Sequence, residues 1–385
     1  MKKPHHIYLL TLSHASNDMC SGALPALLPF FIKAYGLSYA QAATLVFASA
    51  IASSVLQPFF GYFSDKFSRS YFISLGIFLS GLGVSLMGFT SSYHALFICA
   101  IISGIGSAIF HPEAAKMTNS ISSQDSKAKG MSLFAVGGNI GFAVGPLLAG
   151  FIVHYVGFYA LITFGLVCSS VAVVFLYTLP SIKRLSQKVA NSVKNTSNLV
   201  ATNDWRMFAR LSFVIFARSV IFFTLNTFIP IYWINVLHQS TTTASSALAI
   251  LFSFGVVVTI IGGAITDKLG NIKMLRYAYM AMVPILFAFT QSTNVYLSTL
   301  LLFFVGGAVF APYSATVLLG QHYLARNIGF ASGVTLGLGV SIGGIITPLV
   351  GKFADNYGLE NAMQILWIVA IIGLVASFTL RPKRV

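Results

Sequence analysis

The sequence predicts an all-α polytopic membrane protein, with twelve transmembrane helices in two pseudo-symmetric six-helix bundles. Three observations lead there. Of 385 residues, 56% are hydrophobic and only 8% are charged, whereas roughly a quarter of a soluble domain is charged. Twelve apolar stretches of about 20 residues, the length a helix needs to cross a bilayer, lie at 7–33, 40–63, 71–90, 94–118, 129–154, 158–179, 207–236, 243–265, 274–291, 294–318, 328–352 and 361–380. Polar turns and prolines also recur at a nearly constant offset. GYFSDK at 61–66 returns as GAITDK at 263–268, and AIFHP at 108–112 as AVFAP at 308–312; Pro29 is echoed by Pro230 and Pro146 by Pro348. Such repetition marks a duplicated bundle with its site between the halves.

Span 1 opens after MKK, which could begin a signal peptide. Its apolar core is interrupted by His14, Asn17 and Asp18 and no small-residue cleavage site follows, so it is retained as a span. Spans 2 and 8 end in the two matching polar turns. Span 4 carries His111, Pro112, Glu113 and Lys116. Span 5 repeats glycine every four residues, at Gly137, Gly141 and Gly145, and Pro146 follows. The longest polar segment, SIKRLSQKVANSVKNTSNLVATNDWR, follows span 6 and reads as a cytoplasmic linker. The domains are therefore drawn at 1–180, 181–205 and 206–385. Span 7 holds Arg218, and spans 9 to 12 complete the second half.

Lys2, Lys3, Lys66, Arg69, Lys127, Lys183, Arg276, Arg326 and Arg381 all fall on one side of this topology, and Lys33 and Lys352 on the other. By the positive-inside rule both termini are cytoplasmic. The net charge of +15 is spread among the loops rather than gathered on one soluble face, which argues against a nucleic-acid partner. Cys20, Cys99 and Cys168 sit inside apolar runs and suggest neither a disulfide framework nor a metal site. No HExxH, G-x-S-x-G or phosphate-loop motif occurs, so neither an intramembrane enzyme nor a primary pump is indicated, and no cofactor is expected.

The turns GYFSDKFSRS and GAITDKLGNIK and the glycine series GNIGFAVGPLLAG resemble signatures of the major facilitator superfamily, the last resembling its drug-antiporter branch. SHASNDMCSGALPALLP, LQPFFGYFSDK, GIGSAIFHPEAAK and VGGNIGFAVGPLLAG are similar to the fosmidomycin-resistance family of bacterial exporters. One departure is Ser68, where the superfamily turn usually has glycine. The resemblance implies a transporter of the bacterial inner membrane that alternates between inward-open and outward-open states, with spans 1, 4, 7 and 10 lining a central cavity. It also points to phosphonate antibiotics such as fosmidomycin as substrates.

Within that frame Gly61, Asp65, Lys66 and Arg69, with Asp267 and Lys268, read as a conformational latch of loop residues at the cytoplasmic helix ends, where carboxylates can pair with basic groups or a helix N-terminus. Gly137, Gly141, Gly145 and Pro146 read as a packing hinge, small residues allowing close approach and proline weakening the backbone ladder. Of the eight carboxylates, Asp65, Asp125, Asp204, Asp267, Asp355 and Glu360 lie in loops or at span ends. Only Asp18 and Glu113 lie inside spans. Asp18 is about eleven residues into span 1, near the midplane at ~1.5 Å per residue. His14, four residues earlier, shares its face.

Arg218 lies within one residue of the repeat-equivalent position, so Asp18 and Arg218 form a candidate pair across the cavity. Protonation of Asp18 would free Arg218 to bind an anion. Proton coupling is thus placed on Asp18, Glu113 and His14, and substrate binding on Arg218, Asp18, His111 and Lys116. Residues 111 and 113 lie about 200° apart on a regular helix, so His111 and Glu113 share the cavity only if Pro112 distorts the turn. The expected function is proton-driven export of small molecules or drugs by a monomer, its partners being the substrate, protons and the bilayer. The alternative is a proton-coupled uptake symporter for an anionic nutrient or metabolite.

Overall fold

A backbone in hydrocarbon finds no water to bond, so each N–H must be satisfied within its own helix. The computed structural model describes residues 5–67, 70–121, 127–192, 202–327, 330–331, 334–335 and 339–382, and these are helical almost throughout. The first half contains α1 (His5–Tyr35), α2 (Tyr39–Phe67), α3 (Phe72–Met87), α4 (Tyr93–Ile121), α5 (Lys127–Tyr155), a 3₁₀ turn (Phe158–Leu161) and α6 (Ile162–Ser192). The second half contains α7 (Trp205–Asn235), α8 (Thr241–Leu269), α9 (Asn271–Gln291), α10 (Val295–Phe310), α11 (Tyr313–Tyr323), α12 (Gly339–Tyr357), α13 (Leu359–Met363) and α14 (Ile365–Phe378). Among the described residues nine stretches are long and apolar enough to cross a membrane, and α3 is a shorter apolar helix. The twelve expected spans fall in order on these elements, the tenth on α10 with α11 and the twelfth on α13 with α14.

Several starts are legible as caps. Asp204 accepts from the Met207 N–H at α7, Ser240 from Thr243 at α8, and Asn294 from Tyr296 and Leu297 at α10. Three boundaries differ from expectation. The GYFSDK and GAITDK residues are not loops but the last turns of α2 and α8, since no breaker precedes position 68 or 270. α8 stops at Gly270, whose φ of 83° is a conformation glycine adopts without the steric cost of a Cβ; Gly270 lies 202 residues beyond Ser68. The segment expected to begin the linker at 181 is helical to Ser192, its Lys, Arg, Leu, Gln and Ala being good helix formers. The tenth span is broken at Ala311 and Pro312, whereas Pro112 lies inside a continuous α4.

The chain divides into two compact units, one of Met1–Leu27 and Ala48–Asn198, the other of Leu28–Phe47 and Leu199–Val385. In the first, α3 packs on α4 and α6, and α4 on α5 and α6. The buried thiols of Cys20 and Cys168 both reach the Ser16 carbonyl, tying α1 to α6. In the second, α7 packs on α8, α12 and α14, and α9 on α10 and α14.

The glycine series of α5 meets α1 in register. A Cβ built at Gly137, Gly141 or Gly145 would lie 2.2–2.3 Å from the carbonyl oxygens of Thr11, Ala15 and Met19 respectively. Two four-residue ladders therefore interlock backbone to backbone, and α5 runs unbroken through Pro146. Gly141→Leu should force the helices apart and cost at least the ~1–3 kcal/mol of an overpacked core. Thermal melting in detergent checks this. Gly307→Ala, whose added Cβ would have its nearest neighbour at 3.4 Å, should leave the melting temperature in place.

Candidate functional site

The site of the first unit is built on one face of α1. His14 and Asp18 are one helical turn apart, and His14 Nε2 lies 3.1 Å from Asp18 Oδ2. His111 of α4 brings its Nε2 to 3.3 Å from Asp18 Oδ1, and Asn17 Nδ2 donates to the same oxygen at 3.0 Å. Asn17 is oriented in turn by Ser80 of α3, whose hydroxyl donates to Asn17 Oδ1 at 2.7 Å. Asp18 is 5% exposed and His14 8%. A carboxylate so far from water needs donors on its oxygens, and three polar side chains surround it.

The far side of each imidazole decides the chemistry. His14 Nδ1 is 2.7 Å from the Phe134 carbonyl, and His111 Nδ1 is 2.9 Å from the Ser107 carbonyl. A carbonyl only accepts, so Nδ1 of His14 carries a proton; His111 Nδ1 also lies 3.1 Å from the Ser107 hydroxyl, which can donate, and the closer carbonyl favours a proton on that Nδ1 as well. With neutral imidazoles both Nε2 atoms would then present lone pairs to the Asp18 oxygens. Each Nε2···O contact becomes a hydrogen bond only by gaining one more proton. The cluster therefore runs from net −1 with both contacts unmade, through 0, to net +1 with both made, the second proton completing the arrangement. The three donor atoms lie within 4.8 Å of one another, near enough to share a single cation, and the two nitrogen–oxygen separations are those of proton-sharing contacts.

Packing holds the rings in place. Phe134 stacks on His14 with centroids 4.1 Å apart, and Phe110 lies at 5.7 Å. Gly138 of α5 backs directly onto the cluster: a Cβ there would lie 2.6 Å from His14 Nε2 and 2.7 Å from Asp18 Oδ2. Sequence reasoning did not single out Gly138, Ser80 or Phe134. The one available signal was Gly138 standing beside Gly137, outside the four-residue series.

Because α4 stays helical through Pro112, His111 and Glu113 diverge as the 200° spacing requires. Glu113, 2% exposed, lines a separate cavity of about 320 Å³ with Lys116, Ser70, Ser120 and Lys183. Lys116 thus belongs with Glu113 and not with Asp18.

Arg218 is buried in the second unit. Its Nη1 donates to the Val309 carbonyl at 3.4 Å and its guanidinium lies 5.8 Å from the Tyr313 ring. Arg218 Nε and, two turns further along α7, Asn226 Oδ1 are buried without a hydrogen-bond partner among the described residues. Tyr232 and Trp233 are core residues packed on Phe289. Of the expected latch, Gly61, Asp65 and Lys66 lie in the helical end of α2, Asp267 and Lys268 in that of α8, and Lys268 is exposed. Arg69, and the side chains of Asp65, Lys66 and Asp267, lie outside the described residues.

Apolar helices long enough to cross a membrane, with a buried acid in the first unit and a buried guanidinium in the second, mark a multi-pass membrane protein, and the proteins it resembles make it a transporter. Residues 10–348 match the Major Facilitator Superfamily, and the chain belongs to that family. It is 27% identical over 381 residues to the MFS-type transporter YfnC of Bacillus subtilis (strain 168), covering 96% of this chain and 91% of that one. It is 25% identical over 376 residues to the fosmidomycin resistance protein of Escherichia coli (strain K12), with the same coverage. Among solved structures, a bacterial homologue of the human lysosomal transporter Spinster superposes with a TM-score of 0.78 at 15% identity, covering 98% of this chain and 97% of that chain. That likeness confirms the major facilitator fold expected from the sequence.

Gly138→Ala should push His14 or Asp18 out of contact. The overpacking should cost about 1–3 kcal/mol, read as a lowered melting temperature in detergent, while the purified protein stays monodisperse.

Proposed function

We propose that the protein is a proton-coupled antiporter that exports small molecules or drugs, anionic ones such as phosphonate antibiotics among them, across the bacterial inner membrane by alternating access. The observation that carries this reading is the geometry at Asp18, with His14 and His111 Nε2 at 3.1 and 3.3 Å from its two oxygens. Two backbone-anchored imidazoles face one carboxylate, so adding or removing a proton makes or breaks a buried hydrogen bond, and an unmade one is costly away from water. An ionisable group kept inside a membrane at that cost marks a pathway.

In this reading protons pass through His111, whose side chain is 26% exposed against 10% for His14. His14 is the fixed member of the pair. Arg218, with a buried N–H still open, supplies the cation for an anionic substrate, and arginine suits a phosphonate because its fork matches two oxygens at once. The Glu113 cavity is a second proton or substrate site, with Lys116 beside it. The protein acts as a monomer with both termini in the cytoplasm, six helices on each side of a cytoplasmic linker. The polar ends of α2 and α8 serve as latches and the α1–α5 glycine contact as the surface on which the first bundle bends. The relatives that carry resistance to fosmidomycin and quinolones support export as the direction.

Asp18→Asn and Glu113→Gln separate coupling from structure. Asp18→Asn should abolish accumulation driven by a proton gradient in everted vesicles yet spare much of the downhill exchange. Substrate added to wild-type vesicles should collapse an acid-inside gradient. Uphill transport that survives Asp18→Asn would remove this assignment, and equal loss in both assays together with poor expression would make the cluster structural.

A further inference from the structure

A groove runs between α7 and α14 in the second unit, with a volume of about 650 Å³. Its walls are Phe213, Ile371, Ile372 and Val375, and its end is marked by Arg210 and Thr379. Phe213 is 50% exposed and Val375 64%, which is ordinary for a surface turned to lipid. The end of the groove is not ordinary. Arg210 Nη1 donates to the Thr379 carbonyl at 2.9 Å. Arg276 of α9 donates to the carbonyls of Ser377, Phe378 and Leu380 at 3.0–3.4 Å, and Arg381 follows on the exposed chain. Among the described residues no carboxylate lies within ion-pair distance of these three arginines, the ion pairs there being those of Asp18 with its histidines.

Two guanidinium groups, those of Arg210 and Arg276, thus gather at the C-terminal end of α14 beside an open apolar channel, and Arg381 follows in the chain. The helix carbonyls satisfy part of their hydrogen bonding and, as the partly negative end of the helix dipole, offset only a fraction of their charge. A guanidinium carries five N–H donors, and the bond named for Arg210 uses one. From Thr379 to Ile371 is eight residues, about 12 Å along a helix at ~1.5 Å per residue, so the channel runs inward from the basic end. A ligand that fits both parts has an oxyanion to lie on the arginine fork and a hydrocarbon chain to follow the groove.

We propose that this groove is a binding site for an anionic phospholipid of the bilayer, its phosphate on Arg210 and one acyl chain along Phe213, Ile371, Ile372 and Val375. The basic end lies on the side the positive-inside rule assigns to the cytoplasm, where the leaflet carries anionic lipids that attract basic residues. The site is independent of proton coupling, and its test reads binding rather than transport.

The test is native mass spectrometry of the purified full chain with phosphatidylglycerol or phosphatidylcholine of identical acyl chains. The wild type should retain phosphatidylglycerol about fivefold better, the factor expected of one basic residue beside an anionic headgroup. Arg210→Gln should lose that preference and Arg210→Lys should keep most of it, so that a loss through misfolding is distinguished from a loss of charge. Ala376→Trp, which fills the groove, should lower retention of both lipids. Equal retention of the two lipids by the wild type, or an unchanged preference in Arg210→Gln, would overturn the site. A dimer mass that disappears with Ala376→Trp would reassign the groove to a second copy of the chain.

Discussion

The constraint on which the site depends is that a carbonyl cannot donate. Because the Phe134 and Ser107 carbonyls favour protons on Nδ1 of His14 and His111, the Nε2 atoms are left to meet Asp18, and at His14, whose Nδ1 faces a carbonyl, a change of tautomer would forfeit that bond. An isolated buried pair could settle as a neutral acid and a neutral base. Three groups with two shared contacts and two fixed outer protons cannot be neutral and fully bonded at once. That frustration is the ground for the proposed proton exchange; a permanent buried network would gain nothing by changing its protonation.

The surrounding packing exists to keep this geometry narrow. α5 approaches α1 so closely that glycine is needed at three successive turns, and a fourth glycine, Gly138, leaves the space the His14 ring and the Asp18 carboxylate occupy. Phe134, which stacks on His14, also supplies the carbonyl that orients it. One residue thus fixes both the plane and the tautomer of the ring. Ser80 and Asn17 do the same for the acid through α3. Four helices of the first unit, α3, α4, α5 and α6, meet α1 through such contacts.

Much of this was legible in the sequence. The spans could be read because membrane helices need long apolar runs, and the duplication because Gly61 and Gly263, Pro112 and Pro312 keep their spacing. His14 and Asp18 could be paired because residues four apart share a helical face, and the separation of His111 from Glu113 followed from the same geometry. What could not be read depends on which faces neighbouring helices turn to each other. Gly138 looks like any other small residue until α1 is laid against it, and the Phe134 carbonyl has no sequence signature at all. The helical state of residues 64–67 was missed because a polar run at a span end was equated with a loop. The break at Pro312 was missed because the equivalent Pro112 leaves α4 intact, and proline alone does not say whether a helix bends around it or ends.

That break gives the second half an electrical feature not found among the described residues of the first. Where α10 ends at Phe310 and α11 begins at Tyr313, two half-helices put a partly negative terminus and a partly positive one side by side. The Val309 carbonyl that receives Arg218 belongs to the negative terminus. The guanidinium is steadied by backbone dipoles, so its charge can be kept without tying up an acid. Among the described residues no carboxylate lies within ion-pair distance of that guanidinium, so backbone geometry holds it.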